Sequence, residues 1–538
     1  VTEIEEIAED LVRTWFDEDP VRASLLGLPG DHGRLPDYSA ENHGRLRARY
    51  GELADHAENA AGDAVTRGVV VQQARAAVER LEAAEVEFSV SETLSAPALT
   101  PLTVLPLITL DDEEKVAGYL SRLESIPSLV DTVIERQRAA RLPDFLVRAG
   151  ADFLGRYLER PGSDPLRLTG HSFVDRQEAL LAEVVRPAFA RYRDFLDEEL
   201  KPRALGQEQA GLCWQPDGER RYARLIRVHT STERGAQELH ETGLRTIDAL
   251  AEEYRELGSR VFGLTALPEI FERLRTDPAL RWSSGEELLD GARTAIRRAE
   301  AAAPQWFRTV PSQPCEVRPV PPAEAEGGTI AYYIEPDFAG KRQGVYYANT
   351  AHARERFRHT SEAIAFHEAV PGHHFQLSGA MSLDGVPLVH KLADVNSYIE
   401  GWGLYAERLA DEMGLYSSDV SRFGMLTQDS MRAGRLVVDT GMHALGWSRQ
   451  QAVDYLREHT PMAPLEIELE IDRYAGCPAQ ALSYLVGRLE IQRVRAEAER
   501  ALGEAFDIRD FHDAVLGHGI LPLAVLGTVV ADWVASVG

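Results

Sequence analysis

Apolar residues recur at helical spacing along most of this chain. Over 3–16, 69–88 and 175–200, Leu, Val, Ile and Phe fall on one face and Arg, Glu and Asp on the other, which predicts amphipathic helices. Leu26-Gly27-Leu28-Pro29-Gly30 and the Pro-rich stretch 95–106 read as turns or extended connectors between them. Alternating and β-branched residues from Ala223 to Thr230 predict a short strand or a connector into the next helix, with Ser231 or Thr232 as that helix's cap. A further helix is expected over 285–303, where Ser284 and Glu287 have capping-box spacing.

The texture then changes. Residues 317–322 are Pro-rich, and 329–334 and 344–349 are rich in Tyr, Val and Ile, bounded by Gly327-Gly328 and by 337–340. This predicts a small hairpin. Beyond it the helical pattern resumes and runs to the end. The fold class expected is therefore mainly α and two-lobed, with a helical lobe over 1–310, a second helical lobe over 311–538, and a short β segment at about 329–349.

Within the second lobe, Phe366-His367-Glu368-Ala369-Val370-Pro371-Gly372-His373-His374 is the run most loaded with chemistry. A zinc hydrolase needs about three protein ligands, imidazoles and a carboxylate, plus an open position for water and a carboxylate to take that water's proton. In an H-E-x-x-H helix the second His sits at i+4. Here that position is Pro371. On a regular helix His374 would return to the His367 face roughly 10 Å further along the axis, and His373 would point elsewhere. Pro371 and Gly372 favour a kink or wide turn that brings one of the two back. Both remain candidate ligands, His373 ahead of His374. Glu368 is the expected general base.

The third ligand expected is Glu400, which lies 33 residues after His367 in Ile399-Glu400-Gly401-Trp402-Gly403-Leu404-Tyr405-Ala406-Glu407. An unpaired carboxylate in so apolar a helix would be costly, and Gly401 and Gly403 allow close backbone approach. Glu407, at i+7, reads equally as a hydrogen-bond partner for a histidine ligand or as a solvated charge. Asp439 and His443, four apart, suggest an imidazole oriented toward a developing oxyanion, or a buried structural pair. In the run 472–484, Tyr484 is the candidate to stabilise a tetrahedral intermediate, and Arg473 and Tyr474 are candidates to hold substrate.

These segments, with Phe511-His512-Asp513-Ala514-Val515-Leu516-Gly517-His518-Gly519, resemble the bacterial family catalogued as domain of unknown function eight-eight-five. Where that family's turn often reads Pro-Gly-Gln, this chain has Pro478-Ala479-Gln480. The resemblance implies a mostly helical fold related to zinc peptidases with a deep channel, such as the carboxypeptidase Taq and angiotensin-converting-enzyme groups. It implies metal binding and hydrolysis more firmly than any substrate.

Charge narrows the partners. With 58 basic against 86 acidic residues the formal charge is −28, which argues against nucleic acid and anionic membranes. The three cysteines are far apart, so no disulfide framework is expected. The first residues lack a signal-peptide pattern, and the apolar run 514–531 is interrupted by His518, Pro522 and glycines, so it reads as core. The expectation is a cytoplasmic, one-zinc hydrolase of peptide or amide bonds in short peptides or related small molecules. A metal-dependent lyase, isomerase or oxygenase acting on an amino-acid-like metabolite, and a non-catalytic helical binding module, are the alternatives.

Overall fold

The computed structural model describes residues 2–92, 95–170, 173–325, 330–338, 340 and 342–538. Helical periodicity becomes helix along nearly all of it. The first helix, Glu3–Glu18, buries Ile4, Ala8, Leu11, Val12 and Trp15 on one face. Its first turn is closed by the Glu5 carboxylate, which accepts from the Thr2 amide at 2.7 Å. The expected helix over 175–200 runs continuously, with π turns at Leu181–Val185 and Leu196–Leu200.

Three local expectations fail. Residues 223–230 belong to the helix Gly218–Thr230, because Tyr222, Leu225 and Ile226 fall at helical spacing and are buried together. The helix that follows begins after Gly235, not at Ser231 or Thr232. The stretch 95–106 is largely helical, over Thr100–Val104 and Leu105–Leu107, with Leu102 and Leu105 in the core. At Ser284 the expected cap is present: its hydroxyl accepts from the Glu287 amide at 3.2 Å.

The site is built by seven helices and a small sheet. Helix α1 (Ala236–Phe262) precedes the sheet, which consists of β1 (Glu316–Pro319), β2 (Ala331–Ile334) and β3 (Val345–Ala348). Then come α2 (Ser361–Glu368), α3 (His373–Met381), α4 (Asn396–Glu412), α5 (Asp419–His443), α6 (Pro464–Gly476) and α7 (Ser483–Leu502). The sheet order is β1-β3-β2. The expected hairpin is the antiparallel β2–β3 pair, with Ala331 opposite Ala348. Strand β1, parallel to β3, comes from the Pro-rich stretch that gave no strand signal. Gly327, Gly328, Thr329 and Ala339, expected in or around the hairpin, lie outside the described residues.

Helix α5 is buried on every side from Phe423 to His443, the mark of a central helix. It packs on α1, where a Cβ on Gly243 would come within 2.8 Å of Leu436. Helices α4 and α7 cross at glycines: a Cβ on Gly487 would lie 1.6 Å from the Ser397 carbonyl oxygen, and one on Gly401 would lie 2.5 Å from Gly487 Cα. Behind this crossing, Asp429 of α5 binds Arg408 of α4 and Arg488 of α7, and Arg408 also reaches Glu253 of α1 at 2.7 Å.

Buried apolar residues from Ile4 to Val530 form one connected core on both sides of residue 310. Polar contacts also join the two halves: His390 Nε2 lies 3.0 Å from Thr66 Oγ1, and the Asp394 amide donates to Gln73 Oε1 at 2.9 Å. Among the described residues no helix is long and apolar enough to cross a membrane. Residues 514–531 contribute Leu521, Leu523, Leu526 and Val530 to the core.

Candidate metal centre

Helix α2 ends at Glu368 because Ala369 leaves helical geometry, at φ −112° and ψ −101°, and Pro371 follows two residues later. The chain turns and restarts as α3 at His373. Gly372 is required in that turn: a Cβ there would lie 1.8 Å from the His367 carbonyl oxygen. The Trp402 indole N–H donates to the Pro371 carbonyl at 2.9 Å and holds the turn against α4. The interruption therefore does what an uninterrupted helix could not. It folds the His373 ring back onto His367, with ring centroids 4.7 Å apart and planes at 88°.

His367, His373 and Glu400 converge, each offering one ligand atom, and these atoms lie within 4.8 Å of one another. Glu400 Oε2 is 3.3 Å from His367 Nε2 and 3.2 Å from His373 Nε2. On the far side of its ring, His367 Nδ1 donates to Glu407 Oε1 at 2.7 Å, and the Glu407 side chain is fully buried. A carboxylate behind a histidine ligand fixes the ring and leaves the opposite nitrogen free to coordinate. Two imidazoles, one carboxylate and such a buttress fit a catalytic zinc site. They also fit the two-histidine, one-carboxylate set that holds non-haem iron.

The electrostatics of the cluster favour positive charge on His367 and negative charge on Glu400. Burial opposes charge on His367, yet its hydrogen bonds to Glu400 and Glu407 carry its pKa up to about 9. Burial would likewise raise the Glu400 pKa, but the two imidazoles hold it well below the ordinary carboxylate value. Glu368 differs: burial, reinforced by Glu400, pushes its carboxyl pKa up against the opposing pull of His367, His373 and Arg432. Glu368 is enclosed by protein but is only half-buried, and the Glu400 side chain keeps 19% of its surface exposed.

His374 stands outside the cluster. Its Nε2 donates to the Gln313 carbonyl at 2.8 Å, so its Nδ1 is left to accept from the Tyr333 hydroxyl, also at 2.8 Å. Both nitrogens are committed. The expectation of His374 as a ligand is corrected, and the residue ties α3 to β2. The sheet reaches the site at Glu368 as well: burial, and then the Glu368 charge, raise the Tyr346 pKa.

Three other expected site residues also move. His443 is fully buried, its Nδ1 accepting from the Leu212 amide at 3.0 Å and its Nε2 donating to the Tyr474 carbonyl at 2.9 Å. Asp439 does not orient it but accepts from Tyr222 Oη at 2.6 Å and from the Ala479 amide at 3.1 Å. His443 is thus a structural clamp without a free nitrogen. Tyr474 is fully buried, with its hydroxyl taken by Arg435 Nε at 2.7 Å and by Glu470, which leaves nothing to offer a substrate. Arg473 donates to Gln480 Oε1 at 2.7 Å within the same turn. That turn contains Ala479 in left-handed geometry, at φ 69°, although the residue is not glycine.

Tyr484 lies beside His367. Its ring lies 6.3 Å from that of His367, nearly parallel to it, and its hydroxyl has no hydrogen-bond partner among the described residues. Over its ring sit the guanidinium carbons of Arg435, at 4.6 Å, and Arg432, at 5.3 Å. Neither arginine was singled out from sequence. No sequence signal marked them, because the burial of α5 on every side shows only in the structure.

The model of the family described as "Bacterial protein of unknown function (DUF885)" matches residues 20–530. The chain belongs to that family. Among solved structures, this DUF885 protein is similar to one described as a "putative lipoprotein" from Colwellia psychrerythraea, at 25% identity and TM-score 0.92, covering 99% of each chain. It is also similar to a "putative lipoprotein of unknown function" from Shewanella oneidensis, at 16% identity and TM-score 0.75, covering 99% of this chain and 100% of that one. The second likeness is one of fold alone. No curated protein matches.

Proposed function

We propose that this DUF885 protein is a zinc-dependent hydrolase that cleaves peptide or amide bonds in short peptides, within a two-lobed helical fold of the metallopeptidase kind. The observation that carries the reading is the convergence of His367, His373 and Glu400 next to Glu368, a carboxyl group whose pKa is raised by its surroundings. Zinc held by those three residues would lower the pKa of water and polarise the scissile carbonyl.

The chain's own groups supply the rest. Glu368 adjoins His367 in sequence but is not one of the three convergent donors, so its carboxylate is available to take the proton of the attacking water and pass it to the departing nitrogen. Its raised pKa brings it nearer the pH at which it must both accept and return that proton. Glu407 fixes the His367 ring. The Tyr484 hydroxyl, without a partner among the described residues, is available to donate to the oxyanion.

One observation favours a second reading. The same donor set suits iron, and with it a lyase, isomerase or oxygenase. Glu368 tips the balance toward hydrolysis, because the iron sites need no further carboxylate beside the ligands. Tag-free protein that has met no chelator should contain about one zinc per chain. It should cleave peptides in a mixture read by mass spectrometry, lose that activity to a chelator and regain it with zinc. Stoichiometric iron with oxygen uptake would favour the second reading, and absence of any metal would favour a binding module.

A cytoplasmic location belongs to this proposal and is supported by three unpaired cysteines. The description of the Colwellia psychrerythraea relative as a putative lipoprotein argues for a membrane-anchored protein instead. Cell fractionation separates the two.

A further inference from the structure

Arg432 and Arg435 stand three residues apart on α5, both more than nine-tenths buried. Arg435 uses Nε on Tyr474 and Nη2 on Glu470, the latter at 2.9 Å, and its Nη1 is buried without a partner. Arg432 gives Nη1 to the neutral Gln428, its Nε is likewise buried and unpartnered, and it has no carboxylate partner among the described residues. Two guanidinium groups thus share one bonded carboxylate. Glu466 offsets them little, since burial and then Glu470 push its pKa up to about 7. Arg473 adds a third cation beside Glu470, at 4.0 Å. A buried cation left without its hydrogen bonds and counter-charge is strongly disfavoured, so the arrangement is incomplete as it stands.

What would complete it is an anion with two oxygens. Both guanidinium groups stack on Tyr484, whose ring flanks His367, so the spare donors lie within roughly three extended residues of the proposed hydrolytic centre. A guanidinium fork matches a carboxylate bidentately, and a peptide's cationic amino end would be repelled here. We propose that Arg432 and Arg435 form the subsite for the terminal carboxylate of a short peptide, so that the protein cleaves near the free carboxyl end of its substrate. This rests on the hydrolase reading and adds to it the orientation and the kind of peptide. It also moves the carboxylate-binding role from Arg473, which is engaged with Gln480, to the helix beside it.

The test is binding, read apart from turnover. Zinc-loaded Glu368→Gln protein is titrated by calorimetry with tetra-alanine, with its carboxyl-terminal amide, and with the amide of Ala-Ala-Ala-Glu. The free acid should bind at least about tenfold more tightly than either amide, the usual worth of a charged hydrogen-bonded pair. Adding Arg432→Gln should erase most of that preference with zinc content and melting temperature retained. If that double variant does not fold, the acid-to-amide ratio in Glu368→Gln alone decides. Equal affinities, or no binding of any of the three, would overturn the proposal, and equal binding of the free acid and the glutamyl amide would reassign the subsite to acidic side chains. Failure of the wild-type protein to hydrolyse any peptide would instead count against the hydrolase reading, whatever this binding ratio.

Discussion

Gly403 carries no side chain where the His367 imidazole lies: a Cβ on it would come within 2.7 Å of both Cε1 and Nε2 of that ring. The face of α4 that supplies Glu400 is thereby also the floor on which His367 rests. Zinc–ligand distances tolerate shifts of only about 0.2 Å. Gly403→Ala should therefore push the ring off Glu400 and weaken zinc binding by on the order of tenfold or more, a size set by comparison with losses of residues that orient ligands. Competition with a chromophoric chelator measures it. Unchanged affinity would mean that the ring's position against α4 is not what sets the site.

The two adjacent histidines should behave oppositely. His373→Ala removes a proposed ligand and should abolish stoichiometric zinc, a larger effect than the roughly 10–100-fold that follows loss of a ligand's hydrogen-bond partner. His374→Ala removes only the link from α3 to Gln313 and Tyr333, so zinc should remain at about one per chain. Elemental analysis of the two variants side by side gives the answer. Loss of zinc from the His374 variant alone would reverse the assignment.

Acid should destabilise the fold through imidazoles held neutral. His443 is clamped between Leu212 and Tyr474, and burial lowers its pKa to about 4 from an ordinary 6.5. Above pH 6.5 it is neutral in both folded and unfolded chains and costs nothing. As pH falls from 6.5 toward 4 the unfolded chain takes up a proton that the folded chain refuses, and stability drops by roughly 3 kcal/mol at most. His443→Gln keeps a donor and an acceptor without that titration. Its melting temperature should fall less between pH 7 and 4.5 than that of the natural chain. Equal falls would show that His443 takes no part in acid lability.

How far the molecule was legible in its sequence follows from the range of the interactions involved. That His367 and Glu400 come together was readable because their types and order along the chain suggest a ligand set. The choice between His373 and His374 was not, because it depends on the backbone from Ala369 to Gly372 and on Trp402 reaching across to Pro371. Asp439 and His443 have the spacing of an interacting pair, but backbone groups of Ala479, Leu212 and Tyr474 outcompete it, and such partners leave no mark in a sequence. The strand β1 is four residues ending in proline, too short for a period to show. Arg432 and Arg435 resemble any surface arginines until α5 is known to be buried on all sides.

The central claim is that Glu368 moves the proton at a centre whose metal it does not hold. The direct measurement is hydrolysis of a mixture of short free-acid peptides by the natural chain and by Glu368→Gln, with zinc determined in the same samples. Equal zinc in both, with hydrolysis in the variant lower by about 10²–10⁴-fold, is the predicted result. Peptide cleavage by the zinc-loaded variant at the natural rate would contradict the account.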